Sequence, residues 1–178
     1  MDPRTTPEPP PVHEARWVPL TQGKFALVDT EDFDQVTTSH WAVHRIKSSN
    51  TIYAKSTINK RCWTLHRWLW LKVWILPEVK ELDHEDGDGL NCRRKNLRPA
   101  TRSQNAINRK INKSNTSGFK GVHRCIDRSN WRACIWVESR LIHLGMFPSA
   151  EEAARAYDRA AVKHFGEFAR LNFQKETP

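Results

Sequence analysis

An aspartate and a histidine stand side by side at Asp83-His84, followed by Asn96 and Asn105, in the stretch ELDHEDGDGLNCRRKNLRPATRSQN, residues 81–105. A hard divalent cation takes oxygen ligands. The Asp83 carboxylate and the Asn105 amide oxygen supply two, leaving water and phosphate for the other positions. His84 has an ordinary pKa of about 6.5, so near neutrality an unprotonated imidazole is available to take a proton from an attacking water. Together these are the parts of phosphodiester hydrolysis. A calcium loop of the EF-hand kind is excluded. Counted from Asp83, Asp88 and Arg94 stand where Gly and Glu are required, and counted from Asp86 the same places hold Asn91 and Leu97. Adjacent residues on a regular strand point to opposite faces, so Asp83 and His84 are predicted where a strand breaks into the turn at Gly87 and Gly89.

The surroundings suit a polyanionic substrate. Six acids fall within residues 78–88, and residues 91–113 then carry eight basic residues and no acid. Acids that hold a cation beside a basic arm that holds phosphates would produce this pattern. A solvated acidic turn followed by a basic helix accounts for the signs equally well. Over all 178 residues, 29 Lys and Arg against 20 Asp and Glu give +9, which favours an anionic partner. Hydrophobic content of 38% with eight Trp is enough for packed cores, and the length allows one domain or two small ones but no large enzyme barrel.

Several classes drop out. Cys62, Cys92, Cys125 and Cys134 form no C-x-x-C pair, so neither a structural zinc site nor a dithiol redox motif is expected. The most apolar run, residues 63–76, is interrupted by His66, Arg67 and Lys72 and falls short of the roughly 20 residues of a membrane span. No signal peptide is written, so a soluble, cytoplasmic protein with no membrane association and no obligate protein partner is expected.

The elements that must position the chemistry follow from local pattern. Residues 1–15 carry five of the ten prolines and read as a disordered leader. FALV at 25–28 and WAVHRI at 41–46 predict a small antiparallel sheet between Trp17 and Tyr53. Residues 65–76 read as a buried helix ending before Pro77. A capping box at Thr101 and Gln104 opens a helix predicted to reach Asn112, with Asn105, Asn108 and Asn112 on one face. Strands are predicted at 119–124, 131–137 and 140–147, then a helix from Ala150 capped by Ser149 and Glu152 and stopped at Gly166. Its six alanines between 150 and 161 let it lie close against a sheet. On the middle strand Trp131, Ala133, Ile135 and Val137 alternate with Arg132, Cys134, Trp136 and Glu138, leaving Arg132 and Trp136 outward on a ribbon narrow enough for a DNA major groove.

Leu65-His66-Arg67, Leu82-Asp83-His84, Asp86-Gly87-Asp88-Gly89-Leu90, Asn96-Leu97-Arg98, Ala100-Thr101 and Gln104-Asn105 together resemble the HNH endonuclease family, closest to its mobile, homing-type branch in phages and bacteria. That resemblance implies a ββα-metal motif of two strands and a helix around one cation. Asp83 and Asn105 then match its metal ligands, His84 its general base, and Asn96 the residue that braces the histidine-bearing loop. His66 and Arg67 match accessory positions. From Phe119 to Phe173 a second resemblance, to the plant APETALA/ethylene-response-factor DNA-binding domain, rests on GV at 121–122, WRACI at 131–135, HLGMF at 143–147, SAEEAARAYDRAA at 149–161 and ARLNF at 169–173. It implies major-groove reading by the sheet, with Lys120, His123, Arg124, Arg128, Arg132, Trp136, Arg140 and His143 as DNA-binding positions. Cys125, Trp136 and Leu141 stand where plant members tend to carry arginine, so the plant target sequence is not carried over.

The expectation is an α+β protein in which an N-terminal ββα-metal nuclease module, 16–113, precedes a three-stranded antiparallel sheet packed on one C-terminal helix, 117–175. It would cut double-stranded DNA with Mg²⁺, or Mn²⁺, one strand per binding event because a single centre is visible. The rivals are a DNA-binding regulator with a decayed nuclease core and a structural RNA-binding protein.

Overall fold

The computed structural model describes residues 14–46, 51–112, 114–125 and 130–173. The expected leader, apart from its last two residues, lies outside them, and Ala15 is already a buried strand residue. The chain divides into two compact units between Arg102 and Ser103, before the polar connector where the composition suggested a break.

In the first unit, β1 (Ala15–Pro19) and β2 (Phe25–Asp29) pair antiparallel, with Ala15 opposite Asp29 and Pro19 opposite Phe25. Period-two alternation turns Ala26 and Val28 inward. A short helix, α1 (Phe33–Thr37), intervenes before a separate antiparallel sheet of β3 (Ala42–Arg45), β4 (Ile52–Ile58) and β5 (Arg61–Thr64). The single sheet expected between Trp17 and Tyr53 is therefore two. β4 and β5 are joined at Asn59 and Lys60, both at positive φ (50° and 62°), the conformation that matches strand twist in a two-residue hairpin. Helix α2 (Leu65–Trp68) runs on as a π-helical turn, Leu69–Val73, so the predicted helix is present but wider in its second half. Trp41, Ala54, Leu65, Leu69 and Cys92 close the core with Val18, Ala26, Val28 and Val36. The last pair is a hairpin of β6 (Glu81–His84) and β7 (Leu97–Ala100), with Asp83 opposite Arg98 and His84 opposite Leu97.

The second unit begins within helix α3 (Arg102–Ile107), which stops five residues before the predicted Asn112. The Lys120 ammonium donates to the carbonyl of Ile107, the last residue of α3, and to that of Arg109 two residues on, satisfying acceptors a helix terminus leaves open. The strands β8 (Val122–Arg124), β9 (Trp131–Val137) and β10 (Arg140–Phe147) form an antiparallel sheet in that order, and α4 (Ala150–Phe165) packs on it. Ser149 Oγ accepts from the Glu152 amide at 3.1 Å and Gly166 ends the helix at φ 53°, as predicted. Asp158 receives the amides of Asn172 and Phe173, and Asn172 in turn accepts from the Lys120 amide at 2.6 Å, tying the chain's last described turn to the start of the sheet.

β8 begins three residues later than predicted because Gly121 sits at φ +74° against α4. A Cβ there would lie 2.1 Å from the Tyr157 ring. Positive φ and a fixed neighbour act together, so Gly121→Ala is expected to destabilise the second unit by about 2–5 kcal/mol. Urea denaturation with far-UV circular dichroism checks this, and a change below about 1 kcal/mol would mean the ring gives way.

Candidate active site

Asp83 and His84 are the last two residues of β6, immediately before a turn in which Gly87 takes φ +68° and donates to the His84 carbonyl at 2.8 Å. Each is 5% exposed. Their side chains meet different partners, as strand geometry requires. Asp83 Oδ2 receives Nε and Nη2 of Arg98 across the hairpin, at 3.1 and 3.0 Å. His84 lies among aromatic rings, 4.9 Å from His66 in an edge-to-face arrangement and 5.7 Å from Tyr53 between ring centroids. Burial pulls His84 down to about 4, against the upward pull of Asp86, Asp83 and Asp88. His66 is likewise lowered well below its ordinary value, first by burial and then by His84 and Arg67. Both imidazoles are therefore neutral near pH 7.

The loop from Glu85 to Asn91 is held by its own polar groups. Asn96 Oδ1 accepts from the Asp86 amide at 3.0 Å, and its Nδ2 donates to Asp86 Oδ1 at 3.0 Å and to the Asn91 carbonyl at 2.7 Å. Asp86 Oδ1 also caps the Asp88 amide, and Asp88 Oδ1 caps Leu90. Leu27 of β2 pairs with both sides of Asn91, accepting from Cys92 and donating to Leu90, each at 2.8 Å. Gly89 passes so close to β4 that a Cβ would lie 2.4 Å from the Ile52 carbonyl oxygen. The acidic turn is thus a folded support for the histidine, and the sequence motif around Asn96 is the mechanical reason.

Of the residues singled out by sequence, the first unit brings together Asp83, His84, Asn96 and His66. His66 Nε2 is 3.3 Å from Thr64 Oγ1, while its buried Nδ1 has no hydrogen-bond partner. Arg67 points elsewhere, donating to the carbonyls of Lys80 and Val79 and so fixing the approach to β6. Asn105 is half-buried on α3, beyond the division between the units. Three of the eight basic residues of the expected phosphate-holding arm are engaged inside the first unit. Arg93 pairs with Asp29 and Glu14, Arg94 with Glu31 and Asp32, and Arg98 with Asp83. Sequence reasoning gave no role to Arg98 or Tyr53. The spacing of a short hairpin could have placed Arg98 opposite Asp83, but nothing local links Tyr53 to residue 84.

Among the described residues no group of three or more His, Cys, Asp and Glu side chains is placed to hold a metal. One buried carboxylate paired with an arginine fits a hard cation that keeps most of its shell as water and substrate phosphate, and does not fit a closed structural site. The four cysteines are free thiols.

The buried neutral histidines set an acid limit. Protonation of His84 is favoured in the unfolded chain, at about 6.5, over the folded one, so its contribution to stability is complete above that value and is lost as pH falls toward 4. A loss on the order of 3 kcal/mol from this group is expected between pH 7 and 4, with His66 adding in the same direction. Urea midpoints across that range check it, and a His84→Gln variant should show the shallower slope.

In the second unit the register sorts the expected DNA-binding positions. His123, Arg132, Trp136 and His143 share the sheet face turned away from α4. Arg124 pairs with Trp131, whose ring its guanidinium overlies at 5.8 Å, and Arg140 pairs with Val137, so both belong by parity to the other face, at its exposed ends. Lys120 is drawn to the end of α3, where burial and Arg170 lower it to about 8 while two carbonyl acceptors favour its charged form. Arg128 lies outside the described residues. No helix among the described residues is long and apolar enough to cross a membrane.

The profile of the HNH endonuclease family matches residues 64–107, which contain α2, the β6–β7 hairpin and α3. An HNH endonuclease of Acanthamoeba polyphaga mimivirus is 36% identical over 111 residues, 61% of this chain and 56% of that protein, so the chain spans about half of its length. Protein 3.8 of Escherichia phage T7 is 36% identical over 106 residues, 57% of this chain and 87% of the phage protein. An AP2-like ethylene-responsive transcription factor of Arabidopsis thaliana is 43% identical over 61 residues, 34% of this chain and 13% of the plant protein.

Proposed function

We propose that this chain, which belongs to the HNH endonuclease family, is a metal-dependent DNA endonuclease whose nuclease core cuts a phosphodiester bond at sites chosen by its C-terminal sheet domain. The observation that carries the reading is the neutral His84 at the end of β6, on a loop fixed by three hydrogen bonds with Asn96, two donated and one accepted by its side chain. The match of the HNH endonuclease profile over residues 64–107 supports this reading. Asp83 and Asn105 would hold the divalent cation, Mg²⁺ or Mn²⁺. When bound, that ion neutralises charge on the phosphoryl and leaving oxygens.

His84 takes a proton from water as the water oxygen attacks phosphorus and the bond to the 3′ oxygen breaks. A phosphate placed beside the ring raises its proton affinity, offsetting the burial that otherwise holds it low. Arg98 fixes the orientation of the Asp83 carboxylate through two hydrogen bonds, and Asn96 holds the loop so that the imidazole reaches the reacting water. The products are a 5′ phosphate and a 3′ hydroxyl, one strand being cut per binding event because the described residues hold one such centre.

The test is to expose a nicked product to DNA ligase. Ends of this chemistry are sealed without pretreatment, and ends that need phosphate removal or addition would refute the assigned bond cleavage. Competition by RNA weaker than by duplex DNA is expected in the same preparation, and RNA competing equally well would favour a structural RNA-binding role.

A further inference from the structure

The outward face of the β8–β9–β10 sheet is unusual for a surface that meets a polyanion. Trp136 and Leu141 stand directly opposite each other on β9 and β10, 64% and 42% exposed, and Met146 stands opposite Arg132 at 45%. Cys125 Sγ lies 3.9 Å from Met146 Sδ, extending the soft apolar surface toward β8. Arg132 is the one permanent cation among the described residues of this face, since Arg124 and Arg140 belong by register to the opposite face, at the ends of the sheet. A bulge between His143 and Gly145 keeps Leu144 with the inner core and Met146 outward.

The major groove offers one strongly apolar feature, the 5-methyl group of thymine. The other base edges present donors and acceptors that lose hydration against apolar side chains without repayment in hydrogen bonds. Three strands span about 10 Å between outer strand axes, within a groove of about 12 Å. The chain's net charge of +9, with arginines at the ends of the sheet, favours DNA as the occupant over a neutral partner. Resting on the reading that this face meets DNA, we propose that it selects thymine: Trp136, Leu141 and Met146 pack against thymine methyl groups in the major groove, and Arg132 sets the register.

The experiment selects duplexes from a random pool with the full chain in EDTA, then replaces each thymine of the enriched site by uracil, which lacks only the methyl. At one or more positions the dissociation constant should rise about fourfold, the equivalent of ~0.8 kcal/mol for one buried methyl. Trp136→Ala or Leu141→Ala should bind thymine and uracil versions equally at the affected position, and Leu141→Arg should move the enriched base there to guanine. Enrichment of a site indifferent to uracil at every thymine overturns the thymine inference and leaves DNA recognition standing. Failure to enrich any site overturns the reading beneath it as well. Concentration-dependent self-association that Leu141→Arg abolishes would show the face to be an interface between copies, which also overturns it.

Discussion

His84→Ala lowers the single-turnover rate of DNA cleavage by about 10²–10⁴-fold, the usual contribution of a positioned general base, and leaves the dissociation constant in EDTA within about twofold. The two readouts separate because the ring is 5% exposed and packed against Tyr53 and His66, contributing little to ground-state contact with phosphate. His66 is no substitute, since its Nε2 meets Thr64 and it is buried in the same cluster. His84→Gln controls for the hole left by alanine, because it keeps polar bulk without a base of suitable strength, and the same loss is expected. Retention of cleavage within tenfold in both variants would remove His84 from the chemistry.

Asn96→Ala is the second large effect, and it acts through position. The substitution removes the acceptor of the Asp86 amide and the donors to Asp86 Oδ1 and the Asn91 carbonyl, in a residue that is itself buried. Leaving such groups unpaired costs about 1–3 kcal/mol each, so the loop from 85 to 91 should open locally while the core around Leu65 and Val28 stays folded. Amide exchange at 85–91 is expected to accelerate, and cleavage to fall by about 10–10²-fold with DNA affinity in EDTA unchanged. Asn96→Asp should be no better, since a carboxylate cannot donate to the Asn91 carbonyl and faces the Asp86 carboxylate. An Asn96→Asp chain that cuts at the wild-type rate would show that the bracing bonds are dispensable.

What could be read from the sequence follows the range of the forces involved. The capped α4, its alanine face and the β9–β10 hairpin rest on local rules, and each is where the pattern places it. The Asp83-His84 turn was legible for the same reason, because a one-residue alternation and two glycines demand a strand end there. Long-range pairings were not. Nothing in the spacing announces that Tyr53 packs on His84, that Leu27 pairs around Asn91, or that Arg93 and Arg94 turn inward to Asp29 and Asp32. Charge counting treated those arginines as surface, and only tertiary partners show otherwise. The early end of α3 and the late start of β8 share a neighbourhood in Lys120 and Gly121, where a long side chain and a positive φ override the local pattern.

The central claim, that the core is a working metal-dependent nuclease and not a decayed remnant on a DNA-binding module, is tested most directly on supercoiled plasmid carrying an enriched binding site. The wild-type chain is incubated with Mg²⁺, with Mn²⁺ and with EDTA, and its binding to the same DNA is followed in parallel. Conversion to nicked circles with either metal, none in EDTA, and binding in all three conditions is the predicted result. Binding without cutting in either metal would contradict the account and leave a DNA-binding regulator.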